Sequence, residues 1–255
     1  MRAKSETYDI LGVPISVTTL FDAARNVEKW SADDKGRFVC IRDVASLMTM
    51  IEDSALASIH DEAAMVTPDG MPLVMIGKLR GLPVERTCGP DLIDLVCARS
   101  PQTGLKHYFY GGKEGVAEKL ARTFETKYPG IQVVGYECPP FRPLAKDEDD
   151  AAVERIKASG ADVVWVGISS PKQDLWMRDH YKRLPQTLIG VGAAFDFHSG
   201  AIRRAPLWMQ KAGFEWLHRL ASEPKRLWKR YFVLAPKFIW LIMIDALCHS
   251  EKSPR

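Results

Sequence analysis

The sequence lacks the marks of a small secreted domain or a zinc protein. Its five cysteines, Cys40, Cys88, Cys97, Cys138 and Cys248, are odd in number, scattered and without a C-x-x-C pair. Neither a disulfide framework nor a metal site is indicated, and a reducing compartment is expected. A long apolar run is also missing, because residues 231–248 contain Pro236, Lys237 and Asp245; a bilayer-spanning helix needs roughly 20 apolar residues, so none is expected. Asp9, Gly12 and Pro14 interrupt the place where a secretory leader would carry its apolar core, which suggests an intracellular protein. There is no internal repeat and no clean G-x-G-x-x-G fingerprint.

What is present is the composition of an ordinary globular protein: 255 residues, 46% hydrophobic and 26% charged. That length suits one large α/β body with an appendage better than two independent domains. The net charge of +3 conceals an asymmetry, since residues 201–255 hold 11 Lys or Arg against 4 Asp or Glu, a balance of +7. The same segment carries four of the seven tryptophans, Trp208, Trp216, Trp228 and Trp240, interleaved with its basic groups. The shift divides the chain into a body, residues 1–200, and a C-terminal appendage, residues 201–255.

Along the body, residues 15–18 and 37–41 read as short strands, and Thr19 with Asp22 reads as a cap opening a helix towards Trp30. Residues 44–59 have the apolar spacing of one helix and lead to a turn at Thr67-Pro68-Asp69-Gly70. Strands at 107–110, 131–135, 162–167 and 187–191 then alternate with helices at 116–127, 147–159 and 174–184. Such alternation predicts an α/β fold with a Rossmann-like, mostly parallel sheet flanked by helices. The appendage reads as helices over 206–221, 224–234 and 237–248.

Ligands of parallel sheets gather at the carboxyl ends of the strands, where glycines let a phosphate approach backbone N–H groups. Three loops qualify: Gly111-Gly112 with Gly115, the stretch from Gly167 to Gln173, and Gly190 to Gly192 with Phe195-Asp196. Each also reads as ordinary turn chemistry. Thr67-Pro68-Asp69-Gly70-Met71-Pro72-Leu73-Val74, Val166-Gly167-Ile168-Ser169-Ser170-Pro171-Lys172-Gln173-Asp174 and Gly190-Val191-Gly192-Ala193-Ala194-Phe195-Asp196 with Arg203-Arg204-Ala205-Pro206 together resemble, in order and spacing, the WecG/TagA/CpsF glycosyltransferases. The resemblance covers nearly the whole chain. It implies an inverting enzyme that moves a sugar from a nucleotide donor, usually UDP-linked, to a lipid-pyrophosphate-linked saccharide in bacterial surface polysaccharide assembly.

Inversion needs a carboxylate to take the proton of the acceptor hydroxyl. The resemblance places that base at Asp69, which without it reads more readily as an Asp-Gly turn residue. Donor or acceptor contacts are expected at Thr67, Gly70, Gly111, Gly112, Gly167, Lys172, Gln173, Gly192 and Asp196, although Lys172 also suits a solvated surface cation. The run Asp147-Glu148-Asp149 imitates the Asp-x-Asp element of metal-dependent transferases, but it stands ahead of a helix, where carboxylates favour the positive end of the dipole. The resemblance implies no metal and no cofactor.

Arg203, Arg204, Arg219, Arg226, Lys229 and Arg230 suit an acceptor pyrophosphate or anionic headgroups, while the alternative is an amphipathic helix packed on the body. Ile41-Arg42-Asp43 departs from the Thr and Asn usual in the family; Asp43 reads either as a replacement contact or as a helix cap. The expected partners are a UDP-sugar, a lipid-pyrophosphate saccharide and an anionic membrane surface at the cytoplasmic face; no nucleic acid is expected and a homo-oligomer stays open. A nicotinamide-dependent oxidoreductase and a basic adaptor without catalysis are the rival readings.

Overall fold

The computed structural model describes residues 6–250. An antiparallel hairpin, β1 (Thr7–Ile10) and β2 (Val13–Ser16), turns through Leu11 and Gly12, both at positive φ, as two-residue hairpin loops require. Six further strands form one sheet: β3 (Arg37–Arg42), β4 (Met65–Pro68), β5 (Lys106–Gly111), β6 (Gln132–Glu137), β7 (Val163–Gly167) and β8 (Thr187–Gly190). Their order is β4-β3-β8-β7-β5-β6, and every pairing is parallel. The α/β expectation holds.

Side chains alternate along these strands between two cores. Phe38, Cys40, Tyr108, Tyr110, Val164, Val166 and Leu188 enter one, and Val39, Phe109, Val163, Trp165 and Ile189 enter the other, as the period of two dictates. Helices Val44–Glu52, Lys146–Ala158 and Lys172–His180 cover the first face. Helices Leu20–Trp30, Gly89–Thr103 and Val116–Lys127 cover the second. The chain leaves β5 on one face and β7 on the other, so a crevice opens between their carboxyl ends.

Several expectations need correction. The single helix expected over 44–59 is broken into Val44–Glu52, Ser54–Ala57 and Ile59–Glu62, with Asp53 in extended backbone at the first break; Asp and Ser compete for backbone hydrogen bonds and favour helix ends. The stretch expected as a turn from Thr67 to Gly70 begins inside a strand, β4, whose last two residues are Thr67 and Pro68 although proline argues against a strand. β4 is an edge strand, where proline is tolerated, and the Val66 N–H donates to Ser16 Oγ of the hairpin at 3.0 Å. Helices Met71–Leu79 and Gly89–Thr103 were not foreseen.

In the tail, Gly213 at φ +78° divides the expected 206–221 helix into Leu207–Lys211 and Glu215–Ser222. Pro236 does not break the last helix, which runs from Pro224 to Cys248 over 25 residues. A π-helical segment, Arg230–Leu234, precedes the proline and absorbs the hydrogen bond it removes. Among the described residues this is the one helix long and apolar enough to cross a membrane, with a mean hydropathy of 1.8 in its most apolar stretch. The expectation that no such helix exists is therefore overturned.

The costliest group inside is Arg42, the last residue of β3, which is 0% exposed. Its Nη1 donates to Asp174 Oδ1 at 2.9 Å and its Nε to His60 Nε2 at 2.8 Å. The ring proton of His60 thus sits on Nδ1, facing Ala57 O at 3.3 Å. Burial, then the Arg42 charge, pushes the His60 pKa down to about 4. Ser170 Oγ donates to the other Asp174 oxygen, so the buried pair locks the loop after β7 to the end of β3. Replacing Asp174 by Leu would strand the Arg42 charge and should cost about 3–5 kcal/mol, whereas Arg42→Met with Asp174→Leu should cost much less; urea denaturation of the two variants checks the difference.

Candidate active site

At the crevice two strand ends come into close backbone contact. Gly111 ends β5 at φ +143° beside Gly167, and a β-carbon at Gly111 would lie 2.6–2.7 Å from the Gly167 backbone. Gly112 N donates to Gly167 O at 3.0 Å, and the Phe195 ring lies against Gly167, leaving no room for a β-carbon there. Gly111, Gly112 and Gly167 therefore meet in one place.

The loop after β7 passes through Ser169 at φ +69° and a cis Ser170–Pro171 bond into helix Lys172–His180. Gln173 turns inward and is 4% exposed. Its Nε2 lies close enough to Gly190 that a β-carbon there would be 2.9 Å away, and its Oε1 has no partner among the described residues. Gly192 adjoins the same amide. Lys172 points elsewhere: exposed, with Nζ 4.3 Å from the centre of the Phe141 ring. Asp196, half-buried after β8, has its pKa raised by burial, against the opposing influence of Lys113 and Arg226.

Asp69 follows β4 on the same edge, its N–H donating to Arg42 O at 2.7 Å. Thr67 Oγ1 turns inward and donates to Thr87 O at 3.0 Å, so it braces the turn. Gly70 packs against the next strand's loop, its β-carbon position 3.3 Å from Val44 N. The Asp69 side chain is 26% exposed. Arg86 Nη2 and Nε donate to Asp69 Oδ1 at 2.9 and 3.2 Å, and none of the Arg86 hydrogen bonds reaches Oδ2. The same Nη2 donates to Glu215 Oε2 at 3.0 Å, and Arg204 Nε donates to Glu215 Oε1 at 3.0 Å. Arg204 Nη1 continues to Asp91. Burial disfavours the Arg86 charge, but Asp69, Cys88 and Glu215 outweigh it and raise the pKa.

The basic tail residues do not gather in one cluster. Arg204 is spent in this chain of charges, and Arg230 pairs with Asp43. Arg203 and Lys229 are exposed. Arg219 lies over the Phe197 ring at 5.7 Å, and Arg226 pairs with Glu223 at 2.7 Å near Asp196. Arg219 and Arg226 thus lie near the short helix Ala194–His198 that follows β8. Asp43 caps helix Val44–Glu52, accepting from Ser46 N at 2.9 Å. The Asp147 to Asp149 run opens helix Lys146–Ala158, where Glu148 binds Arg142 and Asp149 binds His180 and Arg183. Those two carboxylates are structural.

Sequence reasoning missed Arg86, Glu215 and the Arg42–Asp174 pair, because each contact joins residues far apart in the chain and no local spacing announces it. The crevice itself yields a test. Gly111→Ala needs a backbone region closed to other residues and forces two strand ends apart, so it should cost about 2–4 kcal/mol. Gly115→Ala, at positive φ but in open space, should cost about 1–2 kcal/mol. An unchanged denaturation midpoint for Gly111→Ala would mean that the two strand ends do not meet in solution.

Comparison with known proteins agrees with the geometry. The chain is 28% identical over 212 residues to N-acetylglucosaminyldiphosphoundecaprenol N-acetyl-beta-D-mannosaminyltransferase of Bacillus spizizenii, a match covering 82% of this chain and 80% of that one. Residues 8–252 match the sequence profile of the "Glycosyl transferase WecG/TagA/CpsF family". A parallel sheet with a glycine-lined crevice, a partly exposed aspartate on the same edge and a match over nearly the full length place the chain in the WecG/TagA/CpsF family of glycosyltransferases.

Proposed function

We propose that this glycosyltransferase moves a sugar from a UDP-sugar to a lipid-pyrophosphate-linked saccharide, with inversion, during bacterial surface polysaccharide assembly. The observation that carries the reading is the placement of Asp69 and the Gly111–Gly167 approach on one edge of the sheet. Strands lie about 4.8 Å apart, so the four steps from β4 to β5 span about 19 Å, room for an extended donor along the edge. The name of the Bacillus spizizenii relative gives an N-acetyl-β-D-mannosaminyl group and N-acetylglucosaminyldiphosphoundecaprenol as acceptor, which supports the acceptor class.

In this reading Asp69 Oδ2 takes the proton of the acceptor hydroxyl as its oxygen bonds to the anomeric carbon. The bond from that carbon to the diphosphate breaks on the opposite face, and its electron pair leaves with UDP. Backbone N–H groups of the turn after Gly112 and of the loop before Gln173 receive the developing charge. Thr67 and Lys172 act at most indirectly, since one hydroxyl is buried and the other side chain stacks on Phe141.

The tail supplies the membrane contact. Trp208, Trp216, Trp228, Phe232, Ile239, Trp240 and Leu247 are exposed along it, interleaved with Arg and Lys. The last helix is meanwhile fastened to the body by Leu227, Phe238 and the Lys237–Glu52 ion pair. A helix fastened to the body through residues 227–238 suits an interfacial, peripheral position at the cytoplasmic face better than a crossing.

Asp69→Asn keeps shape but removes the proton acceptor, so turnover should fall by roughly 10²–10⁴ with donor affinity retained; unchanged turnover in a UDP-sugar transfer assay would remove Asp69 from the mechanism. Arg219→Gln with Arg226→Gln should leave binding to anionic vesicles largely intact, because the tryptophans and most basic groups remain. Transfer to a short-chain lipid-pyrophosphate acceptor should drop at least tenfold; transfer at the unmodified rate would leave these two arginines without a part in the reaction.

A further inference from the structure

The tail reaches the proposed base through a carboxylate. Glu215 is the first residue of helix Glu215–Ser222, yet it is 8% exposed and points into the body. Each of its oxygens accepts from a different arginine, Oε2 from Arg86 and Oε1 from Arg204. Arg86 is therefore shared: one Nη2 group donates both to Glu215 and to Asp69 Oδ1. Signs alternate along the whole run, Asp69, Arg86, Glu215, Arg204 and Asp91, so every charge taken from water has opposite neighbours. Cys88 Sγ closes the far end, donating to Asp91 Oδ2 at 2.9 Å.

We propose that Glu215 is a positioning residue for the base: the docked tail, through Glu215, fixes the Arg86 guanidinium, which in turn holds Asp69 by one oxygen and leaves the other for the acceptor. A planar guanidinium can serve two carboxylates at once only in one orientation. With Glu215 in place, Arg86 has a second anchor 129 residues away in sequence, on the tail. Without it, Arg86 keeps Asp69 as its remaining carboxylate partner here and can follow the Asp69 turn as that turn moves. Of the two arginines that Glu215 holds, Arg86 is the one that also donates to Asp69, so the proposed effect on the base passes through Arg86.

This inference rests on the reading of Asp69 as base, and the test separates the two. Glu215→Gln, Arg86→Gln and the double variant are assayed with a UDP-sugar and a short-chain lipid-pyrophosphate acceptor, which removes membrane binding from the measurement. Glu215→Gln should lower kcat by about tenfold or more with the donor KM within about threefold, and in the Arg86→Gln background it should have no further effect. Losses that multiply in the double variant would overturn the proposal, because Glu215 would then act independently of Arg86. Hydrogen exchange of the backbone over residues 68–86 gives a readout that needs no activity. Faster exchange in Glu215→Gln than in the unmodified protein supports the coupling, and identical exchange overturns it. Should the unmodified protein transfer no sugar, the functional reading falls, and exchange alone decides the coupling.

Discussion

A parallel sheet must deliver all its strand ends to one edge, because each crossover returns the chain to the opposite edge before the next strand begins. In this chain that constraint lines up Asp69, Asp43, Gly192, Ile168 and Gly112 in strand order β4, β3, β8, β7 and β5. Residues spread over more than half the sequence thereby share one surface. The two faces then differ in what they do: opposite exits from β5 and β7 open the crevice, while the hydrophobic cores on both sides hold the strand ends still. The buried Arg42–Asp174 pair adds a cross-link at the same edge, tying the Gln173 loop to the end of β3.

The second organising feature is the tail. Its helices expose a large apolar surface, and charge pairs fasten them to the body at three points: Glu215 with Arg86 and Arg204, Arg230 with Asp43, Lys237 with Glu52. Leu227 and Phe238 supply buried apolar contacts between these points. One of these attachments falls on Asp43, directly after β3, and another on Arg86, the arginine that holds the proposed base. The appendage is thus continuous with the active edge, although the composition of the sequence marks it as different in kind.

The body's second half was legible because its strands are apolar runs separated by glycine and by helices of clear period: β5 to β8 fall within two residues of their expected positions. The first half was harder. β4 hides behind Pro68, which only an edge position tolerates, and the 44–59 helix breaks where Asp53 and Ser54 favour ends over interiors. Local capping was readable, as Thr19 and Asp43 show. Pro236 misled in the other direction, since a π turn is a property of the packed helix and leaves no compositional mark. At the site, the glycines could be read from spacing and Asp69 through family resemblance, whereas Arg86 and Glu215 acquire their roles only when the fold brings them together.

The most direct test of the proposed chemistry is a crystal structure of the Asp69→Asn protein soaked with an intact UDP-sugar. The diphosphate is expected on the backbone N–H groups around Gly112 and the Ser169 to Gln173 loop, with the anomeric carbon directed along the sheet edge towards residue 69. A nucleotide bound at the opposite edge of the sheet, or a sugar directed towards β6 and away from residue 69, would contradict it.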